Sequence, residues 1–157
     1  MCGRFNVIDN PELQQLLREL GIDLGLPSRS NIAPTETIFL VRAPSEGPAT
    51  LRGSPPPSEG PATLRGSPPP SEGVEVRWWL TPRWAKAVDQ KYSMFNARSE
   101  TLATSRAFAE PFKHRRGIVP VSSFIEWRTE EGGRQPYLIE TPGAALALAA
   151  IWEHWEG

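Results

Sequence analysis

A tandem repeat in the first half of the chain limits what this sequence can fold into. Thirteen residues at 45–57, Ser-Glu-Gly-Pro-Ala-Thr-Leu-Arg-Gly-Ser-Pro-Pro-Pro, recur identically at 58–70, and a third copy begins at 71–73. Units this rich in Pro, Gly and Ser cannot bury a core, whereas a surface loop tolerates duplication cheaply. We therefore predict that residues 45–73 are a disordered or polyproline-like loop; a proline-rich ligand for a partner domain is the alternative.

The rest of the sequence predicts one domain of the α+β class. The 157 residues are 39% hydrophobic, which suits one modest core, so we predict a single domain over 1–157. Asn10, Pro11 and a run of leucines at helical spacing up to Gly21 predict an amphipathic helix. A second helix is expected at 104–116, where Pro111 should kink or interrupt it. Strands are predicted at 38–41, 74–78, 118–121, 123–128, 137–140 and 146–152, the last one central and buried. This pattern predicts a mostly antiparallel sheet that curls on itself, with a few flanking helices.

Charge and cysteine content restrict the classes of partner. The net charge of -1 creates no overall attraction for a polyanion, but residues 74–116 contain nine Lys or Arg against four Asp or Glu. The single cysteine excludes an internal disulfide, and neither metal-ligand spacing nor a nucleotide-binding glycine loop occurs. We therefore expect no metal and no cofactor. The start of the chain has no long apolar stretch, which favours a cytoplasmic protein without a membrane partner.

Cys2 is the residue with the most specific chemical potential. Methionine aminopeptidase removes Met1 when the next side chain is small, and this leaves Cys2 with a free amine beside its thiol. The amine can condense with an aldehyde to an imine, and the thiol can then close a thiazolidine ring on the same carbon. An internal cysteine cannot do this, because its nitrogen is an amide. The alternative is that Cys2 is a small, inert core residue.

Several segments, in order, resemble one known family. Met-Cys-Gly-Arg-Phe at 1–5 is similar to the opening of SOS response-associated peptidase domains. The resemblance continues through Asn-Ile-Ala-Pro-Thr (31–35), Arg-Trp-Trp-Leu-Thr-Pro-Arg-Trp-Ala (77–85), Asn-Ala-Arg-Ser-Glu-Thr (96–101), Thr-Ser-Arg-Ala-Phe (104–108), Arg-Arg-Gly-Ile-Val-Pro (115–120), Phe-Ile-Glu-Trp (124–127) and Gln-Pro-Tyr (135–137). These segments span nearly the whole chain outside the repeat.

The resemblance implies a fold, a substrate and a nucleophile. Known members have a barrel-like fold and bond covalently, through the N-terminal cysteine, to the ring-opened aldehyde of an abasic site in single-stranded DNA. By resemblance, Cys2 is the nucleophile and abasic single-stranded DNA is the partner. The setting would be the DNA-damage response of a bacterium, with the protein near the nucleoid, and we expect a monomer.

The same resemblance assigns two further catalytic residues. Glu126 matches the glutamate of the family's Phe-x-Glu-Trp motif, and it would serve as a general acid and base during imine formation. Asn96 would orient the sugar or the new N-terminus. The alternatives are a strand glutamate that faces water and an asparagine that caps a turn.

DNA-binding residues follow from the matching segments as well. Arg4, Arg98, Ser105 and Arg106 are expected beside the DNA, where the arginines would pair with phosphates. Trp78, Trp79 and Trp84 could stack on unpaired bases or pack in the core, and we expect one of the three to contact DNA. Each arginine taken singly could equally be a solvated surface residue.

One family motif does not occur in this sequence. A His-x-Arg-Met-Pro segment, whose histidine assists ring opening, is absent, and neither His114 nor His154 lies in a matching position. The chain is therefore expected to be a member truncated at the C-terminus, with slow or unprocessed crosslinking. Three other functions stay open: a peptidase acting through Cys2 and Glu126, a non-catalytic single-strand binding module, and an inactive fragment.

Overall fold

The computed structural model describes residues 2–44, 71–89 and 91–156. The strands in these residues are β1 (Arg4–Val7), β2 (Arg29–Ile32), β3 (Thr37–Arg42), β4 (Glu72–Arg77), β5 (Arg116–Val121), β6 (Ser123–Glu130), β7 (Gly133–Ile139) and β8 (Leu146–Ile151). The helices are α1 (Pro11–Glu19) and α2 (Ala109–His114), and Ser99–Thr101 form a short 3-10 helix.

The strands form two four-stranded antiparallel sheets. Their orders are β2-β1-β6-β7 and β4-β3-β5-β8. The chain passes from one sheet to the other between β5 and β6, where the Ser122 N–H donates to the carbonyl oxygen of Asn6 at 2.8 Å. This arrangement confirms the predicted α+β class and the curled, mostly antiparallel organisation.

The core lies between α1 and the inner faces of the strands. The Asn10 side chain accepts a hydrogen bond from the Leu13 N–H at 2.9 Å, and Pro11 occupies the first helical turn. These features begin α1 where the sequence predicted it. Leu13 and Leu17 of this helix are buried in one cluster with residues from four strands: Phe5, Val7, Ile32, Ile38, Leu40, Val41, Val119 and Val121.

Two sequence predictions about the second half were wrong in detail. The segment 146–152 was predicted as a central buried strand, but β8 pairs only with β5 among the described strands, and Ala147 and Ala149 are exposed. The predicted helix over 104–116 is limited to α2. Pro111 lies in the first turn of α2, where a missing N–H breaks no intrahelical hydrogen bond.

The predicted repeat loop lies mostly outside the described residues. Residues 45–70 are not among the described residues. β4 begins at Glu72 and so includes the last two residues of the predicted 45–73 segment. Glu72 pairs with Arg42 in the β3–β4 ladder, and their side chains form an ion pair at 2.8 Å. Within the described ranges, no helix has the length and apolar character needed to span a membrane.

Candidate functional site

Cys2 and Glu126 lie at the same end of one strand pair. Cys2 precedes β1 by two residues, and β1 pairs with β6 so that Arg4 is opposite Ile125. Glu126 follows Ile125 along β6, toward the end of the pair from which Cys2 extends. A Cβ added at Gly3 would lie 3.8 Å from the Trp127 ring, so this end of β1 packs closely on β6. The sheet thus brings together the predicted nucleophile and the predicted acid–base residue, which are far apart in sequence.

The Cys2 thiol is half-buried, and its surroundings disfavour ionisation. Its Sγ donates to the carbonyl oxygen of Arg4 at 3.2 Å. Burial raises the pKa of the Cys2 thiol above its ordinary value, and the negative charge of Glu126 raises this pKa further. A thiol in this state needs a base to remove its proton before it can attack.

Asn96 holds the backbone of Cys2. Its Nδ2 donates a hydrogen bond to the carbonyl oxygen of Cys2, across 94 residues of sequence. The segment before Asn96 is itself anchored, because the Trp78 Nε1–H donates to the Phe95 carbonyl at 2.9 Å and the Leu80 N–H donates to Met94 at 3.0 Å. Asn96 is therefore a fixed donor, which orients the residue that carries the thiol.

Trp78 and Trp79 are both half-buried in an aromatic cluster next to this donor. The Trp78 ring lies 4.9 Å from Phe5 and 6.0 Å from Phe95, while the Trp79 ring lies 5.8 Å from Phe95. The Trp79 Nε1–H donates to the Asp89 carbonyl at 3.2 Å. These contacts join β1 to the segment that carries Asn96.

Trp84 has a different environment. Its side chain is 57% exposed, and the Arg106 guanidinium lies over the ring at 4.4 Å from the centroid. Of the three tryptophans that the sequence left open between stacking and packing, Trp84 is the most exposed.

The Arg4 side chain is anchored at an irregularity between β1 and β2. Phe5 pairs with Ile32 and Val7 with Arg29, so β2 has one extra residue between these two pairs. Asn31, in this bulge, has a φ of 58° and accepts a hydrogen bond from Arg4 Nη1 at 3.3 Å. This contact ties the guanidinium of Arg4 to the bulge of β2.

Asn6 stabilises the bulge, and sequence reasoning missed this residue. Its Oδ1 accepts from the Asn31 N–H at 2.8 Å, and its Nδ2 donates to the Ser123 Oγ at 2.9 Å. Ser123 is 4% exposed. The available signal was that Asn6 lies between two apolar residues, Phe5 and Val7. A polar group at such a position needs hydrogen-bond partners when it is buried.

The remaining predicted DNA-binding residues lie in the segment that follows Asn96. Arg98 is exposed, and it precedes the 3-10 helix. Ser105 is half-buried, and its carbonyl accepts from the Ala109 N–H at 2.9 Å as the chain enters α2. Arg106 is exposed and stacks on Trp84 as described above.

Cys2 and Asn96 open to one cavity. It has a volume of about 600 Å³ and is lined mainly by apolar and aromatic side chains, Trp78, Trp79 and Trp152 among them. His154, which lies in no matching family motif, also lines this cavity. Its Nε2 lies 3.0 Å from a Glu156 carboxylate oxygen. His114, on α2, is exposed and faces Glu110.

Side chains that could hold a metal ion do not cluster in the described ranges. No group of three or more His, Cys, Asp or Glu is arranged for this purpose there. The chemical groups gathered around the cavity are instead a thiol, an amide donor and aromatic rings, with a carboxyl group and an arginine at the same end of the sheet.

Comparison with known proteins places this geometry in a family. The family model for the SOS response associated peptidase (SRAP) matches residues 1–157. The abasic site processing protein YoqW of Bacillus subtilis is 30% identical over 162 residues, which cover 99% of this chain and 61% of YoqW. The abasic site processing protein YedK of Escherichia coli is 29% identical over 158 residues, which cover 96% of this chain and 59% of YedK.

A solved structure shows the same fold. A protein from Bordetella bronchiseptica superposes with a TM-score of 0.69 at 19% identity, covering 98% of this chain and 64% of that protein. The chain thus spans about three fifths of the length of YoqW and YedK. Since the family model covers every residue, from Cys2 through the Asn96 and Glu126 segments to the end, the chain belongs to the SOS response associated peptidase (SRAP) family.

Proposed function

We propose that this chain processes abasic sites by forming a covalent bond between Cys2 and the aldehyde of an abasic site in single-stranded DNA. The observation that carries the proposal is the tether from Asn96 to the Cys2 carbonyl, which holds the second residue of the chain at an open cavity. YoqW and YedK, which are named abasic site processing proteins, align with this chain over nearly its whole length.

The chemistry requires loss of Met1 and releases one water. The free amine of Cys2 adds to the aldehyde carbon, and the resulting hydroxyl leaves as water, giving an imine. The thiol sulfur then bonds to the imine carbon, and the thiol proton ends on the nitrogen, which closes a thiazolidine. Protein and DNA therefore join with no oxidant, reductant or cofactor.

Glu126 would act on the protons of both steps. A carboxyl group can protonate the leaving hydroxyl, and the carboxylate can later accept a proton from the thiol. Its position at the Cys2 end of the β1–β6 pair supports this role, as does its influence on the pKa of the Cys2 thiol.

Exposed cations and aromatic edges would hold the DNA. Arg4, directed by Asn31, would pair with a phosphate that flanks the lesion, and Arg98, Ser105 and Arg106 would bind the strand farther along. Trp78 and Trp79 line the cavity and would present their exposed edges to the sugar or to a neighbouring base. Action on chromosomal lesions would bring the protein to the nucleoid during DNA damage.

The test is adduct formation with single-stranded DNA that carries one abasic site. The chain with Met1 removed is expected to give a denaturation-resistant species whose mass equals protein plus DNA minus water. Cys2→Ala and intact DNA should give none. A folded wild-type chain that gives no adduct would refute the covalent proposal. Salt-sensitive binding to single strands, which the exposed Arg98 and Arg106 support, would then be the remaining function.

Self-cleavage is the peptidase alternative, and it can be separated from crosslinking. If Cys2 and Glu126 remove Met1 by themselves, the mature N-terminus will form when the host methionine aminopeptidase is inhibited. Retention of Met1 under inhibition, in a chain that crosslinks once Met1 is removed, would eliminate self-cleavage. Intact mass measurement of the purified chain distinguishes the two states.

A further inference from the structure

The cavity at Cys2 extends well beyond the reacting atoms. It follows one face of the second sheet, where Ile38 of β3 pairs with Val76 and Val119 of β5 pairs with Leu148, and all four residues line it. Its volume of about 600 Å³ is typical of sites that enclose a small organic ligand. A ring-opened deoxyribose is short and polar, so it would occupy only the end at Cys2. The proposed reaction leaves the apolar remainder of the cavity unused.

The two ends of β3 mark the two ends of this cavity. Trp78, which directly follows β4 and contacts the Asn96 segment, lies at the start of β3, whereas Arg42 at the end of β3 lies over the Trp152 ring at 4.2 Å from its centroid. From Ile38 to Arg42 an extended strand rises roughly 13 Å, at about 3.3 Å per residue. An extended chain of nine carbons is roughly 10 Å long, since each C–C bond measures about 1.5 Å. The cavity therefore has the length to hold such a chain with one end at Cys2.

The end of the cavity opposite Cys2 offers hydrogen-bond donors and positive charge. Among the described residues, the Trp152 Nε1–H is buried and has no acceptor. Glu153, which lines this end, pairs with both Arg83 and Arg115, and the exposed Arg116 adds a third cation to the lining. A buried donor without a partner and an excess of arginines over carboxylates favour a ligand with an anionic oxygen at this end.

We propose that the cavity admits a second class of substrate, medium-chain ω-oxo carboxylic acids, which have an aldehyde at one end and a carboxylate at the other. The alkyl chain lies along β3, and the carboxylate binds Arg116 and the Trp152 N–H. This inference rests on the proposed function, since it uses the same amine and thiol of Cys2. The amine adds to the aldehyde carbon and water leaves. The sulfur then bonds to the imine carbon while the thiol proton moves to the nitrogen, so the acid is captured as a thiazolidine with loss of one water.

Condensation rates with propanal, nonanal and 9-oxononanoic acid test this inference. Each product has the mass of the chain without Met1, plus the aldehyde, minus one water. Dividing each rate by that of the free peptide Cys-Gly-Arg-Phe, the sequence at 2–5, removes the intrinsic reactivity of the aldehyde. The corrected rate for nonanal is expected to exceed that for propanal about a hundredfold, the effect of burying about four methylene groups. The corrected rate for 9-oxononanoic acid should be about tenfold higher again, because its carboxylate gains charge-assisted hydrogen bonds.

Two pairs of variants locate the alkyl chain and the carboxylate. Ala150→Leu places a larger side chain in the lining of the cavity and should reduce the preference for nonanal over propanal at least tenfold. Ala147→Leu is its matched control on β8, because Ala147 is exposed and lies outside the lining. Arg116→Gln should lower the corrected rate for 9-oxononanoic acid to that for nonanal, whereas Lys113→Gln, which changes an exposed cation of α2 outside the lining, should keep the ratio. Chemical denaturation confirms that each variant folds.

The outcomes separate this inference from the proposed function. Equal corrected rates for the three aldehydes would overturn the inference, and an adduct of the same preparation with abasic DNA would leave the proposed function intact. Equal corrected rates for nonanal and 9-oxononanoic acid would remove the role of the carboxylate and, with it, this class of substrate. A preference for 9-oxononanoic acid that depends on Arg116, in a chain that forms no adduct with abasic DNA, would support the inference and refute the DNA substrate.

Discussion

Asn96 donates a side-chain hydrogen bond to the carbonyl oxygen of Cys2 and so joins two residues that are 94 positions apart. The bond links the start of β1 to the loop between β4 and α2, and each side has its own anchor. Cys2 is continuous with a strand that pairs on both edges, and the neighbour of Asn96, Phe95, accepts from Trp78 at 2.9 Å. Cys2, the proposed nucleophile, is therefore positioned through its backbone.

Loss of the Asn96 side chain should slow adduct formation more than it lowers stability. Removing one half-exposed hydrogen bond costs about 1 kcal/mol of unfolding free energy, whereas a misplaced reacting group can cost roughly a hundredfold in rate. Asn96→Ala should therefore show adduct formation slower by about tenfold to a hundredfold at saturating DNA.

Asn10→Ala provides the control for that experiment. It removes the N-cap of α1 and should also cost about 1 kcal/mol, while the adduct rate stays at the wild-type value. Single-turnover gels and chemical denaturation measure the two quantities. Equal rates for Asn96→Ala and wild type would show that Asn96 has only a structural role.

The Cys2 thiol should ionise above its ordinary pKa of 9.0, and Glu126 should contribute to the shift. Since burial and the nearby negative charge both favour the neutral thiol, the thiolate forms only as the pH rises above the ordinary value. Below that pH, Glu126→Gln should accelerate alkylation by about threefold to fivefold, the size expected from removal of one nearby charge.

The rate of alkylation by iodoacetamide reports the ionisation of the Cys2 thiol directly, because Cys2 is the only cysteine of the chain. The rate is followed against pH for wild type, Glu126→Gln and, as a control on β6, Glu130→Gln. A Glu126→Gln profile that coincides with the wild-type profile would mean that the two side chains do not interact electrostatically.

Asn6→Ala should weaken both stability and the contact of Arg4 with DNA. The variant leaves the Asn31 N–H without its acceptor and the 4% exposed Ser123 without the Asn6 donor. A loss of about 1–3 kcal/mol is expected for such groups. If Asn6 acts through the bulge on Arg4, then Asn6→Ala will weaken DNA binding in wild type but not in the Arg4→Ala background. Additive losses in the double variant would contradict this coupling.

Glu153→Ala should be strongly destabilising. The carboxylate of Glu153 is 4% exposed and pairs with Arg115 at 2.8 Å and with Arg83 at 3.0 Å. Without it, the largely buried Arg115 loses its ion-pair partner, and breaking a buried pair costs about 3–5 kcal/mol. Denaturant unfolding measures the change. Glu156→Ala is the matched control, because its carboxylate is 86% exposed and its loss should change stability by less than about 0.5 kcal/mol.

The strands that the sequence did not predict show where local patterning fails. β1 and β2 have four residues each, and both place polar side chains within the strand, such as Asn6 and Asn31. Their identity as strands depends on pairing with each other and, for β1, with β6, where Asn6 lies opposite Ser123. These two residues are 117 positions apart in the sequence. Non-local pairing of this kind leaves no periodic signal in a short window.

What the sequence by itself determined is the chemistry of the N-terminus and the elements with strong local signals. A cysteine at position 2 can acquire an amine only through loss of Met1, and α1 begins at an Asn-Pro pair because caps act within one turn. The tertiary structure alone decided which groups surround the thiol and which tryptophan is exposed. Glu126, Asn96 and Trp84 derive their environments from sheet register and from contacts across tens of residues, because burial and distance are properties of the packed chain and not of its local pattern.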